Sequence, residues 1–591
     1  MHALTLIVIA ALVYILAYRF YAAFIAAKVL TLDAARSTPA VLHNDGRDFS
    51  PTNRWVLFGH HFAAIAGAGP LIGPVLAAQF GYLPGYLWLL IGAVTAGAVH
   101  DMVLLFASVR HEGQSLAEIV RRELGGFSGT LASVAILFML IIVLAGVGVS
   151  VVNALYQSPW GVFTVGFTIP VAILVGIYLK LLRPGHIGEA TVIGVALVLL
   201  GVVLGPVIQN SSLAQYLYLS KNQLSIIIPI YGFLAAVLPV WLLLIPRDYL
   251  SSYMKIGTIL LLAGGVIWIN PVLQMPAYTG FIAGGGPVIP GKVWPFMFIT
   301  IACGALSGWH SLVSSGTTPK LISNEADIKI IGYGAMLTEG FVAIMALIAA
   351  TVLAPGDYFA INSPPQVFAK LGMNIQDLSV LSQAVGEELA GRTGGAVSLA
   401  VGMAHIFSAI GAMKHLMSYW YHFVIMFEAL FILTLIDAGT RIGRYLLQEM
   451  GGTIYQPLGD TRWWPGTLIT SALFSCAWGY LLYGGTIATI WPLFGVGNQL
   501  LAAIALAVGT TMIIRMGRVK YLWVTLIPLA FITVTTITAG YQNIVSIYLP
   551  QQNYLLAGIS GVLILMVLAI ILYSIRSWVL LLGDHQYQKG D

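Results

Sequence analysis

Two adjacent histidines, His60 and His61, open a run that is otherwise apolar and rich in glycine and proline, GHHFAAIAGAGPLIGP. Isolated ionisable residues recur in other apolar runs: Asp101, His310, Glu339 and Glu428. A charge at the centre of a bilayer costs about 2.5–3.5 kcal/mol, so such residues in lipid-depth segments are read first as carriers or gates. Histidine titrates near neutral pH and can hold a proton without a metal. His60 and His61 stand about 100° apart on a helix, so one lines a path while the other bonds a neighbouring helix. Desolvation disfavours the charged form of a carboxylate. Glu339 and Glu428, both near midspan, are therefore the carboxylate candidates for proton carriage. Asp101 lies about two and a half turns from Arg110, too far to pair along its own helix, and is a candidate for proton coupling, gating or a structural pair. Arg247 and Asp248 sit at the edge of a run, as an inner gate or a loop ion pair. His310, beside Trp309, is the candidate partner for a substrate carboxylate. Lys414, His415 and His405 fall at a predicted outer mouth, where they either snorkel or draw in an anion.

These side chains need helices in lipid to position them. Of 591 residues, 59% are hydrophobic and 8% charged, against about 25% charged in a soluble protein. The chain is expected to be an all-α integral membrane protein. Its net charge of +5 fits basic cytoplasmic loops rather than nucleic-acid binding. Cys303 and Cys476 suggest neither a disulfide framework nor a metal site. A span needs about 20 apolar residues. Spans are predicted near 3–24, 54–80, 85–109, 128–153, 161–182, 187–208, 225–246, 253–272, 296–318, 331–354, 416–437, 465–484, 487–510, 520–541 and 553–575. A sixteenth run, 396–412, makes the total 15–16. The positive-inside rule works best if 396–412 is re-entrant or interfacial, with the N-terminus outside and the C-terminus cytoplasmic.

Three spans carry their own breaks. Proline removes the donor to the carbonyl four residues back. Pro70 thereby frees Ala66, with Gly67 and Gly69 lowering the cost of unwinding. Pro239, near Trp241, frees Ala235, and Pro319 frees Ser315. Bare carbonyls survive at membrane depth only inside protein or around a cavity, and broken helices are where secondary transporters hold solute and ion. The half-helix after Gly69 also aims free N–H groups inward, an end that attracts anions. The first two breaks fall five spans apart in opposite directions, which predicts a 5+5 inverted repeat. Its parts are an N-terminal helix and loop (1–53), a first repeat (54–208), and a second repeat (225–437) holding an outer loop 355–395 and the run 396–412. C-terminal helices (465–591) follow, for packing or a homo-oligomer contact; Asn498 and Gln499 there read mainly as glue between helices. The pattern resembles the LeuT-type fold of amino-acid/polyamine/organocation transporters. That resemblance implies a sodium site from Ser314, Ser315 and Thr317 with carbonyls near Ala66 and Gly69.

The segments FGHHFAAIAGAGPLIGP, GAVHDM, LPVWLLLIPRDYLS and GALSGWHSLVSSGTTPK are similar to signature segments of the carbon starvation protein A (CstA) family, over nearly the whole chain. The resemblance implies a multi-pass protein of the bacterial inner membrane that imports peptides or pyruvate under carbon starvation, by proton symport. The chain is then expected to be a transporter and not an enzyme, with no cofactor beyond a coupling proton or, alternatively, sodium. A membrane redox or metal protein using the twelve histidines is the alternative from another class; His415 and His422, seven apart, share a helix face. A sensor is disfavoured for want of a soluble signalling domain, and a primary pump for want of a nucleotide-binding G-x-x-x-x-G-K-[ST] loop.

Overall fold

A computed structural model describes residues 1–45, 49–184, 186–239, 241–460 and 463–587. The described residues are helical with no strand; two isolated bridges, His2 to Val272 and Thr52 to Ile322, tie loops together. The principal helices are α1 (Ala3–Val29), α2 (Arg54–Ile65), α3 (Gly69–Phe80), α4 (Tyr82–Arg110), α5 (Leu116–Leu124), α6 (Gly126–Leu155), α7 (Pro159–Leu182), α8 (Ile187–Gln209), α9 (Lys221–Val237) and α10 (Leu244–Ile269). They continue as α11 (Val293–Thr300), α12 (Trp309–Gly316), α13 (Glu325–Thr351), α14 (Ala396–Ser408), α15 (Gly411–Gly452), α16 (Trp464–Gly484), α17 (Ile487–Arg515), α18 (Trp523–Tyr548) and α19 (Tyr554–Gly583).

Eleven of the helices among the described residues are long and apolar enough to cross a membrane, and α2 with α3, bent by 48°, makes a twelfth span. The chain is thus the all-helical membrane protein its composition predicts. The count is lower than fifteen for a physical reason. The run 225–246 stops early as the 17-residue α9, and 296–318 is split into two eight-residue helices, α11 and α12. The third, α16, has 21 residues but falls outside the eleven. The run 396–412 forms the 13-residue α14, about 20 Å long against a hydrocarbon core of about 30 Å.

The largest shift concerns 225–246 and 253–272. The chain breaks after Val237, and α10 begins at Leu244, earlier than predicted. Pro246 marks the first turn of that helix, where proline costs nothing because the N–H has no intrahelical partner. Arg247, expected in a loop, therefore lies inside α10, as does Lys255, at 1% and 2% exposure. The helix α17 is enclosed along its whole apolar window and packs against α4, α6, α18 and α19. It backs the broken helices with a rigid wall.

Candidate functional site

The three breaks are closed by polar groups from other helices. At Ala66 the α2 backbone leaves helical geometry (φ −73°, ψ 77°). Lys255 Nζ donates to the carbonyls of Ala63 (2.9 Å) and Ala66 (3.2 Å), and its ammonium lies 4.2 Å from the centre of the Phe431 ring. The Trp309 indole N–H donates to Ala64 O at 3.0 Å. At the break after α9, Arg441 Nη2 donates to Ala235 O at 2.7 Å and also to Leu238 O, while Arg444 Nη1 donates to Ala236 O at 3.2 Å. The carbonyls that end a helix carry partial negative charge, and both of these ends meet cations. At the break between α11 and α12 the side-chain amides of α17 hold both ends, the first N–H of α12 and a carbonyl near the end of α11. Asn498 Oδ1 accepts from Trp309 N at 2.8 Å, and Gln499 Nε2 donates to Phe298 O at 2.6 Å. The glue predicted for these two residues of α17 holds the broken helix itself.

A cavity of about 360 Å³ lies between these breaks. Three helices line it with stripes at one-face helical spacing: His60, Ala63 and Ala64 from α2, with Gly67 just beyond it; Trp309, Leu312 and Val313 from α12, with Thr317 at its end; and Phe431, Thr434, Leu435, Ala438, Arg441, Ile442 and Tyr445 from α15. The α15 stripe runs for about 21 Å. Ser252 and Lys255 line it from α10. The walls are mostly apolar, and Lys255, Arg441 and His60 are the side chains able to bear positive charge.

Behind α12, away from the cavity lining, the buried acids and histidines converge. His310 Nδ1 lies 2.8 Å from Asp101 Oδ2, and His100 Nδ1 lies 2.7 Å from Asp101 Oδ1. Glu339 Oε2 is 2.9 Å from His310 Nε2, near enough for an ion pair but off the line of a hydrogen bond. All four side chains are essentially unexposed. A π turn precedes each acid, Ala93–Gly97 before Asp101 and Lys329–Gly334 before Glu339; such turns re-aim the residues that follow and recur at functional sites. Close backbone approach needs glycine at both. A Cβ on Gly97 would lie 2.2 Å from Ala305 O, and one on Gly332 2.8 Å from Met102 Cα.

Other predicted residues distribute as follows. His61 Nδ1 bonds Thr318 Oγ1, just past α12, at 2.8 Å, while His60 lines the cavity. His310 is not among the cavity-lining residues. The Ala66 carbonyl accepts from Lys255 Nζ, while Ser315 Oγ donates to Ser311 O (2.6 Å) and accepts from Leu116 N (3.0 Å). Ser314 Oγ is buried without a hydrogen-bond partner, and Thr317 faces the cavity. Glu428 is buried with neither oxygen hydrogen-bonded. Arg247 Nη1 is 3.6 Å from Asp437 Oδ2, which accepts from Tyr231 OH at 2.7 Å. Pro239 is exposed at its break, and Trp241 is half-buried with Lys180 Nζ 5.7 Å from its ring centre. The Asp248 side chain lies outside the described residues. His405, Lys414 and His415 are exposed. About 28 Å along α15 from Arg441, His422 Nε2 lies 3.1 Å from Glu387 Oε1 and Arg392 Nη1 3.0 Å from Glu387 Oε2. Burial pushes the Glu387 carboxyl up, but the His422 bond, the nearby charges and Ser158 hold it below the ordinary carboxylate range. This cluster pins the 355–395 segment onto α15 and the α6–α7 connection.

One substitution tests the contact between breaks. A Cβ on Gly69 would lie 2.4 Å from both Cβ and Sγ of Cys303, whereas one on Gly59 would meet nothing within 4 Å. Overpacking costs about 1–3 kcal/mol. Gly69→Ala is therefore expected to cut initial uptake at least about tenfold at equal membrane abundance, with Gly59→Ala near wild type. Equal rates for the two variants would mean that the breaks do not bear on each other during function.

Helices interrupted around a cation-lined cavity, in a chain with eleven lipid-length helices among the described residues, define a multi-pass membrane transporter. The model of the family described as carbon starvation protein CstA matches residues 2–539, and the chain belongs to that family. The peptide transporter CstA of Bacillus subtilis is 51% identical, over 98% of this chain and 97% of that protein. The peptide transporter CstA of Escherichia coli is 49% identical, over 92% and 81%. The pyruvate/proton symporter BtsT of Escherichia coli is 44% identical, over 98% and 91%. Among solved structures, a manganese transporter of Eremococcus coleocola aligns over 91% of this chain and 99% of its own, at 13% identity and a TM-score of 0.43.

Proposed function

We propose that the chain is a secondary active importer that takes a small carboxylate-bearing nutrient, a peptide or pyruvate, into a bacterial cell together with a proton. The relatives' names supply the two substrate classes. The observation that carries the reading is the position of α12. One of its faces lines the cavity through Trp309, Leu312, Val313 and Thr317, and the adjacent residue His310 sits between two buried carboxylates. Solute and proton thus act on the same eight-residue helix.

The substrate carboxylate seats against the Lys255 ammonium, with Arg441 further along the cavity and the apolar stripes facing the rest of the solute. Asp101 and Glu339 ionised around one imidazolium leave a net negative charge in a dry site, which is costly. One proton from outside neutralises it and loosens the hold on α12. The helix then moves with α2 against α15, and the cavity opens past Arg441 and Tyr445 to the cytoplasm. The proposed orientation has the N-terminus outside and the C-terminus inside the inner membrane, with 54–208 and 225–437 as inverted repeats.

Sodium coupling is the second reading, favoured by the buried, unpartnered Ser314 hydroxyl. Uptake of labelled pyruvate and of dipeptides into proteoliposomes, under an imposed pH gradient or an imposed sodium gradient, tests both. Accumulation driven by the pH gradient alone is expected. Accumulation driven only by sodium would replace the proton reading, and indifference to both gradients would end symport.

A further inference from the structure

We propose that Cys303, His310 and Glu339 form a binding site for a divalent cation of the zinc class, and that the bound cation competes with transport. One ligand atom from each of the three residues lies within 4.8 Å of the others, and all three side chains are buried. They come from three elements: the break before α12, its first turn, and α13. His310 Nε2 and Glu339 Oε2 face each other at 2.9 Å but are off the line of a hydrogen bond, and Glu339 Oε1 is buried with no hydrogen-bond partner; an unmet buried acceptor is expensive.

The histidine is also oriented as a ligand. Its Nδ1 is bonded to Asp101 Oδ2 at 2.8 Å, the carboxylate–histidine arrangement that holds a metal-binding imidazole and raises its basicity. This leaves Nε2 turned toward Glu339 and Cys303. Asn498 Nδ2 approaches Cys303 Sγ at 3.6 Å, and Ser307 Oγ lies 3.2 Å from it, so donors stand ready to stabilise a thiolate. Sulfur, imidazole nitrogen and carboxylate oxygen suit zinc and its spectroscopic substitute cobalt, whereas magnesium and calcium take oxygen. Bonds of about 2.0–2.3 Å place tetrahedral ligand atoms roughly 3.3–3.8 Å apart. A small rotation of Glu339 away from His310, with Cys303 drawn in, reaches that spacing. Three protein ligands leave a fourth position open, as in sites that exchange their fourth ligand. Binding displaces the thiol proton, the Nε2 proton of the His310 imidazolium and any proton on Glu339. Competition with transport rests on the proton reading above; binding itself does not.

The test is an anaerobic cobalt titration of the purified, reduced full chain in detergent, read by absorption. One equivalent is expected to produce a thiolate-to-cobalt band in the near ultraviolet, abolished by added zinc and unchanged in Cys476→Ser. Cys303→Ser is expected to lose the band and bind at least about tenfold more weakly, and Glu339→Gln to weaken binding similarly. No band in the wild-type chain, or a band that survives Cys303→Ser, overturns the site. In proteoliposomes, zinc is expected to slow wild-type uptake and to leave the Cys303→Ser rate, relative to its own zinc-free value, unaffected. A cobalt band together with zinc-indifferent wild-type uptake overturns the competition. Uptake indifferent to the pH gradient, with the cobalt band intact, removes the proton reading and leaves the metal site standing.

Discussion

Lys255→Met is expected to raise the substrate concentration needed for half-maximal uptake by about 10- to 150-fold. Methionine keeps an unbranched apolar stem over the Phe431 ring, where the Lys255 ammonium lies 4.2 Å from the centroid; what is lost is the charge. A hydrogen bond to a charged group contributes about 1.5–3 kcal/mol, and each 1.4 kcal/mol is about tenfold in affinity. A second effect accompanies the first. The carbonyls of Ala63 and Ala66, bonded at 2.9 and 3.2 Å, lose their donor, at about 1–3 kcal/mol for each that stays dry. Lys255→Arg separates the two effects, because it restores charge and donors in a different shape. If the ammonium receives the substrate, Arg recovers thermal stability more fully than affinity. If it only caps the broken helix, stability and affinity recover together. Half-saturation shifted less than threefold in Lys255→Met, at normal membrane abundance, would remove Lys255 from substrate binding.

Two of the three interruptions were legible in the sequence because proline deletes a specific donor whatever surrounds it; the third was expected at Pro319, after Ser315, whereas the chain leaves the helix between Thr300 and Trp309, where no proline stands. Pro70 and Pro239 identify the carbonyls of Ala66 and Ala235 as released, and those carbonyls are where Lys255 and Arg441 bond. Which groups receive them was not legible, since the partners lie 189 and 206 positions away in the chain. Lys255 was missed for a local reason. Pro246 and the Arg-Asp pair after it look like the end of a span, whereas they form the first turn of α10. A usable signal was present: Arg247 and Lys255 are eight residues apart, close to one face, in a stretch with no glycine before Gly257. Likewise the types of Asp101, His310 and Glu339 were informative, but their convergence depends on the π turns before the two acids, which no periodicity of 3.6 announces. The thiol beside them was set aside because two lone cysteines form no ligand pattern in sequence; the third dimension supplies the histidine and the carboxylate.

Glu339→Gln is expected to abolish accumulation driven by a pH gradient while leaving substrate exchange between loaded vesicles and medium within a few fold of wild type. Glutamine fills the same volume and keeps a hydrogen-bonding end, so the packing of α13 on α4 and α12 is retained. It cannot gain or lose a proton, so the site around His310 holds one fixed negative charge, on Asp101, in place of two. In the proposed cycle the loaded carrier crosses with Glu339 protonated, and glutamine imitates that state permanently; exchange needs only that crossing. Net uptake needs the empty carrier to return after releasing its proton inside, and the variant has none to release. Asp101→Asn should behave differently, because Asp101 takes His100 at 2.7 Å and His310 at 2.8 Å. Removing its charge unsettles two buried imidazoles at once, and both exchange and accumulation should fall. If Glu339→Gln instead loses both activities equally, Glu339 holds the helices in place and the proton travels elsewhere. The next candidate is then Glu428, the buried carboxylate on α15 with neither oxygen hydrogen-bonded, and the same pair of assays on Glu428→Gln decides it.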